Sequence, residues 1–121
     1  MLRLLVIEDE PRVAAHIDGV LSKQGLDVIG PAGSLEEAKL LACFEELDGA
    51  LLDVNIDGGR IDDVADILME RKIPFLFVTS CGREDLPLNH QEAILVPKPF
   101  RDADLIRAVR RLKPEWRGEI S

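Results

Sequence analysis

No apolar run in this chain is longer than a few residues. That excludes a membrane-spanning helix, which takes about 20 consecutive apolar residues. Met1 leads directly into a strand-like run ending in acids, so the start does not read as a signal peptide. Basic residues are in the minority, 15 Lys and Arg against 23 Asp and Glu, for a net charge of −8. Such a balance argues against nucleic acid as a partner, because phosphate backbones are bound by basic patches. There are only two cysteines, Cys43 and Cys81, far apart and without CxxC spacing. They read as reduced thiols and give the expectation of a cytoplasmic protein without a membrane partner. Internal repeats and low-complexity linkers are also missing.

What is present fits one soluble globular domain. The chain has 121 residues, 46% hydrophobic and 31% charged, enough to bury a core. The expected domain spans 1–113, with 114–121 as a C-terminal tail.

Five apolar runs alternate with helical patterns. Leu2–Ile7 is nearly all apolar, as a strand covered on both faces would be. Glu8-Asp9-Glu10 follows, and Pro11 suits a first helical turn. Val13, Ile17, Val20 and Leu21 then recur at helical spacing up to Gly25. A shorter second strand is expected over Leu26–Ile29, and Ser34-Leu35-Glu36-Glu37 opens the second helix as a capping box. The third strand is Ala50–Val54, and a third helix should run from about Arg60 to Arg71. Phe75–Val78 forms the fourth strand, ending in Thr79-Ser80, and Ala93–Val96 the fifth, closed by Pro97-Lys98-Pro99-Phe100. The last helix spans about Asp102–Leu112. Between the fourth and fifth strands, residues 81–91 hold Gly82 and Pro87 and at most one turn of helix-compatible sequence. Strands alternating with helices imply a doubly wound α/β fold with a parallel sheet.

In such sheets ligands bind outside the carboxyl ends of the strands. Those ends carry Glu8 and Asp9, Asp53, Thr79 and Lys98. Singly, each has a structural reading: an acid as helix cap, Asp53 as a turn residue, Thr79 as a strand residue, Lys98 as a solvated charge. Together at one sheet edge they form a constellation. Glu8, Asp9 and Asp53 would converge if the first and third strands are neighbours. Each like-charge pair at about 5 Å would cost roughly 3 kcal/mol at an effective dielectric near 20. The cluster therefore needs a cation, an ammonium group or a proton. Mg²⁺ suits carboxylates plus one backbone carbonyl, which Asn55 can offer. Asp53 then becomes an anchored nucleophile for a phosphoryl group, with Lys98 and the Thr79 hydroxyl holding phosphoryl oxygens. A hydrolase turning over external substrates is disfavoured, because Asn55 rather than a second acid stands two residues after Asp53.

Acidic pair after strand one, Asp after strand three, Thr after strand four and Lys-Pro-Phe after strand five: this order, over residues 2–112, resembles the receiver domains of two-component response regulators. The resemblance implies a flavodoxin-like five-stranded parallel sheet of order 2-1-3-4-5. It implies Asp53 as phosphoacceptor, taking phosphate from a histidine kinase or histidine phosphotransfer protein. Mg²⁺ would sit on Glu8, Asp9, Asp53 and the Asn55 carbonyl, Thr79 and Lys98 on the phosphoryl oxygens, and the Lys98–Pro99 peptide would be cis. Such a module catalyses only its own phosphorylation and dephosphorylation, in a stand-alone protein or as part of a hybrid kinase. Three features depart from the usual pattern. Leu95 stands where an aromatic switch residue is usual, Ser80 follows the switch residue Thr79, and the fourth helix looks short or irregular. They resemble an atypical single-domain group of receivers known from alphaproteobacteria. Output is expected through residues 81–112, to a downstream protein or a second copy, with 81–91 ordering when Thr79 reaches for the phosphate.

Overall fold

Why these runs become a two-sided sheet is visible in their alternation. Side chains on a strand point to opposite faces in turn. In β1 (Arg3–Ile7), Leu5 and Ile7 enter one core while Leu4 and Val6 enter the other. The same split recurs in β3 (Gly49–Leu52) and β4 (Phe75–Thr79), where Leu52 and Phe77 face one side and Leu51, Leu76 and Val78 the other. The computed structural model describes residues 1–118 and 120. With β2 (Asp27–Ala32) and β5 (Leu95–Pro97), the strands form a parallel sheet of order β2-β1-β3-β4-β5, the expected flavodoxin-like arrangement.

Helices α2 (Leu35–Phe44) and α3 (Asp62–Glu70) close the first core with Ala38, Ala42, Val64, Ala65 and Leu68. Helices α1 (Pro11–Lys23) and α4 (Asp102–Arg110) close the second with Ile17, Leu21, Leu105 and Val109. The cap expected for α2 is present: Ser34 Oγ accepts from the Glu37 amide at 3.2 Å. Glu37 in turn accepts from Gly33 N–H at 3.1 Å, one residue earlier than a capping box requires. Among the described residues no helix is long and apolar enough to cross a membrane.

Three local differences from the sequence reading have physical causes. First, β2 runs on to Ala32, through Gly30-Pro31, instead of ending at Ile29. The register with β1 shifts between Leu5 and Ile7. Gly30 adopts φ 99°, and a Cβ there would lie 2.9 Å from the Val6 carbonyl oxygen, so only glycine fits. An edge strand tolerates the proline at such an irregularity. Second, α3 begins at Asp62, because Gly59–Arg60 folds back on Asn55–Ile56 as a two-residue antiparallel hairpin. Where the broken pattern led to the expectation of a short or irregular helix, residues 81–92 agree: they hold no α-helix, only single 3₁₀ turns at Arg83–Asp85 and Leu88–His90. Third, the segment expected as a tail forms a turn at Pro114–Gly118 and buries Trp116 and Ile120 in the second core. Glu119 and Ser121 lie outside the described residues.

Candidate functional site

The register carries the acids to one place. Ile7 pairs with Leu52, so Glu8 and Asp53, each the next residue, leave the sheet side by side. Thr79 pairs with Pro97, which puts Lys98 one step beyond, at the same edge. The extension of β2 secures Glu8, whose amide donates to the Ala32 carbonyl at 2.9 Å. Carboxylate oxygens of Glu8, Asp9 and Asp53 all lie within 4.8 Å of one another. Glu8 and Asp53 are buried, whereas Asp9 is exposed.

Lys98 lies among these acids. Its Nζ donates to Asp53 Oδ2 at 2.8 Å, lies 2.6 Å from Glu8 Oε1 and comes within 3.7 Å of Glu10. The Lys98 side chain is 11% exposed and the Glu8 side chain 1%. Asp53 Oδ1 accepts from the Val54 amide at 2.7 Å. Burial works against the Lys98 charge, but the two carboxylates outweigh it and hold its pKa above the ordinary lysine value. For Glu8 burial wins: its pKa is raised, only partly offset by Lys98 and the Glu10 amide, with the Asp53 charge adding to the rise.

The backbone between Asp53 and α3 completes the rim. The amide of Asp57 donates to Asp9 Oδ2 at 3.0 Å and fixes its side chain toward the cluster. The amide of Glu10 donates to Glu8 Oε2 at 3.1 Å. Glu8 Oε1, although close to Lys98, lacks hydrogen-bond geometry to it and is a buried oxygen without a hydrogen-bond donor among the described residues. Three convergent carboxylates, one with a spare buried oxygen, suit a hard divalent cation.

The sequence-derived candidates therefore fall into two groups. Glu8, Asp9, Asp53 and Lys98 come together. Thr79, buried at the end of β4, turns its hydroxyl elsewhere: Oγ1 lies 3.3 Å from Cys81 Sγ and 3.4 Å from the Cys81 amide. Asn55 is exposed at the start of the hairpin, and Leu95 is half-buried in β5, level with Phe77. The Lys98–Pro99 peptide is cis, as the resemblance implied, and Gly30–Pro31 is cis as well. The histidines lie outside the cluster. His16 Nε2 is 2.6 Å from Asp102 Oδ1, and His90, buried, is 3.0 Å from Asp66 Oδ1. The sequence reading missed the supporting roles of the Glu10 and Asp57 amides. The Asp57-Gly58-Gly59 turn was the available signal for the second.

The raised Glu8 pKa has a measurable sign. A group whose folded-state pKa lies above its unfolded value, 4.5 for this carboxyl, contributes stability that is fully present below that value. The contribution is lost as pH rises through the folded value. Metal-free protein should thus lose stability from Glu8 as pH climbs from about 4.5 toward neutrality. Glu8→Gln, which resembles the protonated form, should flatten that part of the profile. Urea midpoints measured across this range in chelator check it, and an unchanged slope in the variant would refute the assignment.

No family model matches the chain. The Phyllosphere-induced regulator PhyR of Methylorubrum extorquens is 32% identical over 106 residues, covering 84% of this chain and 40% of that protein. The chain spans about half or less of the length of the curated relatives it matches. Among solved structures, the non-phosphorylated HemR receiver domain from Leptospira biflexa aligns with a TM-score of 0.79 at 25% identity. That alignment covers 93% of this chain and 94% of that one. The receiver domain of the sensor histidine kinase PA1611 from Pseudomonas aeruginosa PAO1, with magnesium coordinated in its active-site cleft, gives 0.78 at 22% identity, over 92% and 96% of the two chains. Likeness of this extent, in fold and in sequence, makes the chain a member of the receiver-domain family of two-component response regulators.

Proposed function

We propose that the chain receives a phosphoryl group on Asp53 from a phosphohistidine donor, a histidine kinase or histidine phosphotransfer protein, and changes partner binding as a result. The observation that carries this reading is the placement of Lys98 Nζ against both Asp53 and Glu8, with Asp9 in the same acid cluster. A carboxylate oxygen of Asp53 forms the new P–O bond while the donor's P–N bond breaks. The donor imidazole keeps the electron pair and takes up a proton. Glu8, Asp9, Asp53 and the carbonyl of Asn55 would hold Mg²⁺, which when bound neutralises charge on the phosphoryl oxygens. Positioning and charge stabilisation are the main tasks of a protein in such a transfer. Lys98 supplies a fixed cation beside the acceptor and follows the charge as it moves from carboxylate to phosphoryl oxygen. Thr79 would turn its hydroxyl from Cys81 to a phosphoryl oxygen, drawing on residues 81–92. In this reading the chain turns over no substrate beyond its own phosphoryl group.

The test is incubation with acetyl phosphate and Mg²⁺, followed by mapping of the modified residue. One hydroxylamine-labile phosphate on Asp53, lost on chelation, is expected. A modification mapped to any other residue, or labelling indifferent to chelator, overturns the reading. In beryllofluoride the same protein should show slower amide exchange over 81–92, a disorder-to-order change of a kind common in signalling. Unchanged exchange there would rule out this output route.

A further inference from the structure

A groove of about 930 Å³ opens where the chain enters β4, between the residues after α3, the segment before β5 and the residues after α4. Phe75, Ile94 and Leu112 give it an apolar floor. Leu88 stands on its wall 86% exposed, and Met69 55%. Such apolar surface left open to water points to a binding role.

Charge at the groove runs against the rest of the molecule. Acids outnumber bases 23 to 15 in the chain, yet Lys72, Arg111 and Lys113 line this groove against Glu92 alone among the acids. Among the described residues, none of these three basic side chains makes an ion pair or hydrogen bond. Lys72 adds an independent observation. It sits just past the C-cap of α3 with φ 61°, alone in positive φ among the described non-glycine residues. Glycine is the usual residue at that position, because a Cβ is disfavoured there. The chain keeps a cationic side chain at a place where its backbone favours none, the kind of local strain that points to a use.

We propose that this groove docks an acidic segment of a partner protein. An apolar side chain of the segment rests on Phe75, Ile94 and Leu112, and its flanking carboxylates meet Lys72, Arg111 and Lys113. Anchoring by apolar side chains in a groove is a common mode of peptide recognition, and complementary charge selects the partner. A long polyanion is disfavoured by the net charge of −8 and the apolar floor. The groove lies at the end of the strands opposite Asp53, so the inference goes beyond phosphoryl transfer and stands without it.

The test uses the full unphosphorylated chain and a displayed library of random peptides about twelve residues long. Enriched sequences should carry Asp and Glu around Leu or Phe, and their binding should weaken with salt. Titration of a synthesised peptide should shift backbone amide resonances at 72–75, 88–94 and 111–113. Lys72→Gly relieves the left-handed backbone and should raise the unfolding temperature, while weakening the peptide about tenfold, the scale of one charge-assisted contact. Arg111→Glu should weaken it at least as much. Enrichment of neutral or basic peptides, shifts confined to other surfaces, undiminished binding to Lys72→Gly, or no enrichment over the variant carrying both substitutions would each overturn the proposal.

Discussion

Asp53→Asn is expected to reduce phosphate incorporation from acetyl phosphate by roughly a thousandfold or more, the scale of loss when a nucleophile is removed. The amide oxygen of asparagine can still accept from the Val54 N–H, which Asp53 Oδ1 holds at 2.7 Å, so the end of β3 keeps its local geometry. What disappears is the charge that faces Lys98 at 2.8 Å and, with it, the nucleophile of the proposed transfer. Lys98 retains Glu8 at 2.6 Å, so the variant is not left with an unpaired buried cation. The measurement is intact-mass spectrometry with Mg²⁺ present, alongside circular dichroism to show the fold. Labelling at the wild-type level would mean that another group accepts the phosphoryl.

Legibility in the sequence followed locality. Strands buried on both faces are continuous apolar runs, so β1, β3 and β4 could be read directly, and with them the residues that leave their C-terminal ends. Asp53 and Glu8 were legible because one parallel register carries both to the same edge. Residues whose behaviour depends on distant partners were not. The path of β2 through Gly30-Pro31 rests on the closeness of the Val6 carbonyl, 24 residues earlier in the chain. Arg60 has helix-forming propensity, yet the hairpin with Asn55 claims it, and its side chain reaches Asp62 and the Asp85 carbonyl. Thr79 was legible as a strand end, but its rotamer was not, because the preference for Cys81 is a contact that no periodicity encodes. The amide of Asp57 serves Asp9 across 48 residues.

The same kind of contact makes the C-terminal segment structural. A five-residue 3₁₀ turn that opens on a proline gives no amphipathic signal, yet Trp116 is 5% exposed and packs in the core closed by α1 and α4. Its ring lies over Gly49 at the start of β3, where an added Cβ would come within 2.9 Å of Trp116 Cη2 and 3.1 Å of Leu4 Cδ2. A glycine there leaves room for the indole. Trp116→Ala is therefore expected to cost about 3–5 kcal/mol, the range for large aromatic truncations in a core. Against a whole-domain stability of about 5–15 kcal/mol, this is a large fraction. Gly49→Ala alone should also destabilise, since its methyl has no space beside the ring. In the double variant the lost indole makes that space, so the combined cost should fall short of the sum by about 0.5–3 kcal/mol, the usual coupling of residues in contact. Urea denaturation of the four proteins measures the cycle. A Trp116→Ala loss below about 1 kcal/mol, typical of surface positions, would show that the segment is dispensable to the core.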